Sequence, residues 1–308
     1  MTEVRRFACT QCGKCCNRSP ELELSEAAAL ADRFVFRLMF RLYQMPLTPE
    51  RGASAELFYQ KKRLLSAHAA RKYPKKAMRG GKAVEVTNYL MISALALDTT
   101  PGACAALSDN RCSIHERRPL GCRTVPFHYS RADGLAASDF DAFVSTAGYR
   151  CDTGDGAALF LKDGRVVHTV TSQARADALA LAERDRPWKE AIVRRMKTPC
   201  EDSLPSLADV EANAGFAAMT TSMRVGWQIA AAAGLLSGEA YCALIQQQLS
   251  TIERELSRCT ADRETLREMT AEYKQALAPE RQPRLAPRPA FTRVAGEEIQ
   301  NLPPSRVR

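Results

Sequence analysis

Apolar residues recur at helical spacing through most of the second half of the chain. In "SGEAYCALIQQQLSTIERELSRC", Tyr241, Leu244, Ile245, Leu249, Ile252 and Leu256 fall on one face, which predicts an amphipathic helix with that face buried. Cys242 lies near this face and reads as a small apolar residue. The runs "SQARADALALAERD", "PWKEAIVRRMK", "SLADVEANAGFAAMTTSMRVGWQIAAAAGLL" and "DRETLREMTAEYKQAL" extend the helical pattern across 172–277. Just before it, "ALFLKDGRVVHTVTS" places Asp163-Gly164 between two β-branched, apolar runs, the signal of a hairpin closed by a primed turn.

The first half is less regular. "LSEAAALADRFVFRLMFRLYQ" predicts a helix, with Ser25 as its cap, Glu26 at the positive end of its dipole and Pro46 just beyond it. "AVEVTNYLMISALAL" at 83–97 mixes branched and aromatic residues with some alternation and predicts a strand. The expected fold class is therefore α+β. A cysteine-rich N-terminal domain (1–154) precedes a β-hairpin and a mainly helical region (155–278), whose periodicity predicts a core of its own and folding without metal. From Pro279 the chain carries six prolines, six arginines and no apolar period, which predicts a flexible basic tail over 279–308.

Composition adds a compartment. The 308 residues are 45% apolar and 26% charged, enough to bury a core. Arg5-Arg6 resembles the start of a twin-arginine signal, but no apolar stretch follows it. Runs such as "LMISALAL" are too short to cross a bilayer. A cytoplasmic, bacterial protein without membrane contact is expected. In a reducing compartment its 11 cysteines point to metal ligation or redox chemistry before a disulfide scaffold.

Eight of those cysteines fall before residue 155: Cys9, Cys12, Cys15, Cys16, Cys104, Cys112, Cys122 and Cys151. Metal ions need converging, deprotonated thiols, and C-x-x-C supplies two from one tight turn. In "CTQCGKCC" the unit is doubled as Cys9-x-x-Cys12-x-x-Cys15, with Gly13 free to take the positive φ of a wrapping chain. This spacing is similar to iron–sulfur ligation, in which a fourth cysteine arrives from elsewhere; structural zinc sites more often pair two separate C-x-x-C units. An iron–sulfur cluster is the preferred cofactor and zinc the alternative. Neighbouring side chains diverge, so Cys16 suggests a second ion or a larger cluster. In the second group, "CAALSDNRCSIHERRPLGCRTVPF", a short helix must end before Pro119. Arg117, Arg118 and Arg123, with Lys14 and Arg18, are placed to stabilise thiolates, unless they are simply solvated.

These residues resemble the YkgJ-type CxxCxxCC family of zinc- or iron-chelating cysteine-cluster proteins. "FACTQCGKCC" and "CSIHERRPLGCRTVPF" carry the resemblance, the latter being similar to the family's C-x-x-Y-x-x-RP-x-x-CR-x-x-P signature. Cys104 and Cys151 also fit, and the likeness covers about 7–154. It implies metal binding by the eight cysteines but names neither the metal nor a reaction; Arg118, Arg123 and His115 are expected in support. His115 stands where the family usually has tyrosine, as a packing replacement or an extra ligand. His128 has the same two readings, while His68 and His168 have no metal-like context. Cys200 and Cys259 share no short spacing with another cysteine.

One further feature is electrostatic. Residues 57–84 hold nine Lys or Arg and no acid, matching the formal charge of +9 on the whole chain. Such a basic insertion attracts polyanions, nucleic acid or an acidic protein, or else is merely solvated. Aromatic residues for base stacking are sparse there, which argues against single-strand recognition. Three function classes follow: a module that stores, delivers or senses metal; an iron–sulfur enzyme modifying a macromolecule, as some flagellin lysine methylases carry similar cysteine clusters; and a zinc-stabilised adaptor binding a partner through its basic stretch. No glycine-rich nucleotide loop and no nucleophile–base pair is evident.

Overall fold

A computed structural model describes residues 4–79, 81–196, 207–213, 215–258, 262–278 and 292–293. In chain order the elements are β1 (Val4–Arg6), β2 (Glu21–Leu22), α1 (Leu24–Ala29), β3 (Phe36–Pro46), α2 (Ala55–His68), β4 (Arg71–Arg79) and β5 (Lys82–Ala96). Then come β6 (Leu107–Ser108), β7 (Arg111–Cys112), α3 (Leu120–Arg123), α4 (Ala136–Val144), β8 (Leu159–Lys162), β9 (Arg165–Val166), α5 (Thr169–Arg184) and α6 (Arg186–Met196). The chain ends with α7 (Leu207–Ala212), β10 (Phe216–Ser222), α8 (Met223–Ala232), α9 (Gly238–Arg258), α10 (Arg263–Leu277) and β11 (Thr292–Arg293). The fold class is α+β.

These elements form two compact units that interleave along the chain: Met1–Pro20, Pro49–His68 and Gly102–Glu183 in one, Glu21–Thr48, Ala69–Pro101 and Arg184–Arg308 in the other. The expected contiguous division at residue 154 does not follow this arrangement. Its helical half lacks β3, the strand that its own β10 pairs with, which lies far upstream.

The first unit is built around aromatic packing. Antiparallel β1, β8 and β9 form a three-stranded sheet, closed by the expected Asp163-Gly164 turn. Phe7 packs edge-on against Phe140 and Phe160 at centroid distances of 6.4 and 5.8 Å, with Phe127, Ala136 and Leu161 completing the cluster. Arg5 joins β1 to α4 through two bonds to the Asp141 carboxylate, at 2.8 and 3.1 Å.

The second unit is an antiparallel sheet in the order β11-β10-β3-β5-β2, with β4 also on β5. Its main correction to the expected elements is at 24–44. The helix there is only α1, and the rest is β3, paired with β5 from Phe36↔Ala96 to Pro46↔Val86 and with β10 from Ser222↔Arg37 to Phe216↔Tyr43. Leu38, Met39 and Phe40 are all fully buried, so both faces of β3 are covered and the alternation that marks a half-exposed strand is lost. The same partner exposes a second error: "FAAMTTS" is a strand, not part of a helix. Ser25 is not the cap of α1 either; its backbone N–H and hydroxyl donate to the Asp185 carboxylate.

On α9, Tyr241, Ile245 and Ile252 are buried as predicted, but Cys242 is exposed. The basic stretch is not an insertion. Lys61, Lys62 and Arg63 lie on α2 of the first unit, while Arg71, Lys72, Lys75 and Lys76 lie on β4 of the second, where Pro74 is tolerated because β4 has no second partner among the described residues. Apart from the short β11, the expected tail lies outside the described residues, as do Cys200 and Cys259.

Candidate metal centre

All eight N-terminal cysteines belong to segments of the first unit. Phe7 anchors the start of the cysteine loop in the aromatic core. Ala8 then pairs with Asp152 through two backbone hydrogen bonds of 2.8 and 3.1 Å. This antiparallel bridge sets Cys9 beside Cys151, and the register continues as the Thr10 hydroxyl donates to the Arg150 carbonyl at 2.6 Å. Beyond it the chain wraps tightly, with φ of 55° at Gln11 and 71° at Gly13, and the Cys16 N–H donates to the Gly13 carbonyl at 3.1 Å.

Gly13 is held by a second segment. A Cβ there would lie 2.5 Å from the Asn110 carbonyl oxygen. Asn110 and Asp109, with φ of 60° and 49°, form the two-residue turn joining β6 to β7, in which Leu107 faces Cys112. The Cys104 N–H donates to the Cys16 carbonyl at 2.8 Å, and the Ala106 N–H donates to the Cys104 sulfur at 3.4 Å. The third segment is a 3-10 turn, His115–Arg117, followed after Pro119 by α3, which carries Cys122. Arg118 Nε donates to the His115 carbonyl at 3.0 Å and Arg123 Nε to the Arg118 carbonyl at 2.7 Å, so both arginines staple these turns.

The charges divide the thiols into two neighbourhoods. Cys16 is pushed well up, first by its hydrogen bond with Cys15, then by burial and by the nearby thiols of Cys15, Cys104 and Cys122. Cys151 is pushed up to about 11 by burial and by Cys15, Cys12 and Cys9. Cys15 belongs to both groups. The hydrogen bond from Cys16 holds it down to about 7 against the cost of burial, aided by its own backbone amide and the Arg118 guanidinium. The expectation that Cys15 and Cys16 point apart is therefore corrected. The turn closed on Gly13 departs from extended backbone, in which neighbours face opposite ways. At Cys12 burial opposes ionisation, yet the Lys14 and Arg150 amides and the Thr10 side chain lower its pKa overall.

Cys9 is exposed, and the other seven are partly buried. Cys112 joins the assembly through its hairpin, where it faces Leu107. Among the described residues no group of three or more His, Cys, Asp or Glu side chains is already set to hold an ion. The donors nonetheless fit a thiophilic metal: nine free cysteines among the described residues, two of the eight with lowered pKa, and one orphaned imidazole nitrogen. That nitrogen is His115 Nε2, buried without a hydrogen-bond partner among the described residues, while Nδ1 lies 3.3 Å from Glu116 Oε1. His128 is engaged otherwise, its Nδ1 accepting from the Ser130 N–H at 3.2 Å and its ring 4.2 Å from that of Tyr129. His68 packs against Tyr129 as well, and His168 Nδ1 meets the Thr171 hydroxyl at 3.0 Å.

Sequence reasoning passed over Tyr149. Its ring packs on Phe143 at 4.9 Å, and burial together with Cys15, Cys151 and Cys16 raises its pKa, so its phenol stays protonated beside the thiols. Its place two residues before Cys151 was the available signal.

A protein-family model, CxxCxxCC, matches residues 8–151; it is described as "Putative zinc- or iron-chelating domain". Residues 8–151 are thus similar to that domain family. No curated protein and no solved structure matched the chain. The matched stretch takes in all eight cysteines and also runs through β2–β3 and β4–β5, so it is not confined to the first unit. Among the described residues no helix is long and apolar enough to cross a membrane.

Proposed function

We propose that the protein is a cytoplasmic metal-binding protein that holds an iron–sulfur cluster, or zinc in its place, through Cys9, Cys12, Cys15, Cys16, Cys104, Cys112, Cys122 and Cys151. The observation that carries this reading is the overlap of two thiol neighbourhoods at Cys15: Cys16, Cys104 and Cys122 on one side, Cys9, Cys12 and Cys151 on the other. Each group with Cys15 offers four sulfurs, the number that tetrahedral zinc or a cubane cluster takes from cysteine. The Cys9-x-x-Cys12-x-x-Cys15 spacing favours iron–sulfur. Arg118 offsets part of the negative charge that such a thiolate set accumulates. When bound, the group supplies electron transfer or a structural clamp; the protein's own part is to hold thiolates on three stapled segments.

The test is anaerobic purification of the full chain, followed by metal and acid-labile sulfide analysis across a cysteine-to-serine series. Cys15→Ser should lose the most metal, because it touches both groups. Cys242→Ser should lose none, being exposed on α9 outside both groups. Full metal content in Cys15→Ser would overturn the reading.

A further inference from the structure

His115, three residues after Cys112, has an imidazole ring with one nitrogen left unsatisfied among the described residues. Its Nε2 is buried and makes no hydrogen bond among the described residues. Native proteins satisfy nearly all such atoms, so an unpaired one needs an explanation. Its other nitrogen, Nδ1, lies 3.3 Å from the Glu116 carboxylate, whose side chain is 96% exposed. A proton on Nδ1 shared with that carboxylate leaves the Nε2 lone pair free and directed inward. Carboxylate on one nitrogen and metal on the other is the usual arrangement of a histidine ligand.

Sequence spacing and backbone hydrogen bonds tie His115 to the cysteine segments. It follows Cys112 as Cys112-x-x-His115, the spacing by which one turn presents two ligands to an ion. The Ser113 N–H and hydroxyl both donate to the Ala106 carbonyl, at 2.9 and 2.8 Å, which ties the segment between them to the segment that carries Cys104. Arg118 spans the remaining gap. Its Nε holds the His115 carbonyl while its charge acts on Cys15.

We propose that His115 is a nitrogen ligand, through Nε2, to the metal held by the cysteine set, acting with Cys112. This rests on the metal-binding reading above. It also gives a role to Cys112, which the β6–β7 hairpin holds opposite Leu107. A site of mixed sulfur and nitrogen donors takes zinc readily and, in an iron–sulfur centre, gives one iron a different potential from its all-thiolate neighbours.

The experiment uses the full chain, prepared without metal and titrated anaerobically with zinc(II) or cobalt(II) alone. Imidazole nitrogen NMR on the zinc form and the absorption spectrum of the cobalt form are the readouts. The expected result is a shift of the His115 Nε2 resonance on zinc binding. His115→Gln should bind less cobalt and lose the band positions of a mixed nitrogen–sulfur site, and His115→Cys should restore loading with an all-sulfur spectrum. If either variant fails to fold, the resonance shift in the unaltered chain decides alone. An unmoved His115 resonance in a zinc-loaded chain overturns the inference while leaving the cysteine reading intact. A chain that binds neither ion overturns both.

Discussion

The Asn110 carbonyl oxygen stands 2.5 Å from where a Cβ on Gly13 would be. The contact joins the cysteine loop to the β6–β7 turn, and Gly13 also has a φ of 71°. Gly13→Ala should destabilise the metal-free protein by about 1–3 kcal/mol through strain and close contact. It should also lower metal occupancy, because Cys12 and Cys15 would move away from the Cys104–Cys112 segment. Denaturant midpoints and metal content together check this; an unchanged midpoint would show that the loop does not rest on Asn110.

Reactivity of the thiols should follow their environments. Cys15 is held down to about 7 by its bond from Cys16, and Cys151 is pushed up to about 11 by burial and its thiol neighbours. Only the thiolate attacks iodoacetamide. In metal-free protein, Cys15 labelling should rise through about pH 7 and level off above it, whereas Cys151 should stay slow until far more alkaline pH. Mass spectrometry of peptides after short pulses reads both, and equal rates at pH 8 would contradict the arrangement.

The sequence was most informative where one face of an element meets solvent. The α9 stripe, the Asp163-Gly164 hairpin and β5 were all visible from period and turn chemistry. β3 was not, because Leu38, Met39 and Phe40 are buried together and its partner β10 is distant in sequence. At the candidate site the eight cysteines were legible as a set. Their grouping around Cys15 was hidden, since it depends on a turn over Gly13 and on the Asp109-Asn110 hairpin. The latter is a recognisable primed-turn pair that was passed over.

Gln248 offers a stability test in the second unit. Its side chain accepts from the Phe36 N–H at 2.8 Å and donates to the carbonyls of Ala31 and Phe34 at 3.0 and 2.7 Å. Gln248→Leu would leave the Phe36 N–H and the Phe34 carbonyl buried and unpaired by this side chain, a loss of about 2–4 kcal/mol. Chemical denaturation measures it, and a change below about 0.5 kcal/mol would mean the site relaxes to admit water.

Lys189 and Glu23 form a buried ion pair at 2.5 Å, their side chains 3% and 8% exposed. Lys189→Met alone should cost about 3–5 kcal/mol, because it removes one partner of a buried ion pair. Adding Glu23→Leu should recover most of that loss. A double variant no better than the single one would show that Glu23 has another cation to rely on.

Residues 155–278 expressed alone should form helix by circular dichroism yet melt without a cooperative transition. Their β10 has lost β3, and the portion up to Glu183 belongs to the other unit. A sharp, two-state melt of that fragment would restore the contiguous division of the chain.

The interleaving of the two units has a consequence during synthesis. The ribosome releases β3 and β5 early, but β10, which covers the open edge of β3, follows only about 120 residues after Ala96. At about 5–20 residues per second the delay is on the order of ten seconds. Throughout that interval the nascent chain displays an eleven-residue edge from Phe36 to Pro46, rich in phenylalanine and leucine, to every other chain nearby. Soluble yield in a cell should therefore track translation speed between Ala96 and Ser222 and the supply of chaperones that hold exposed strands.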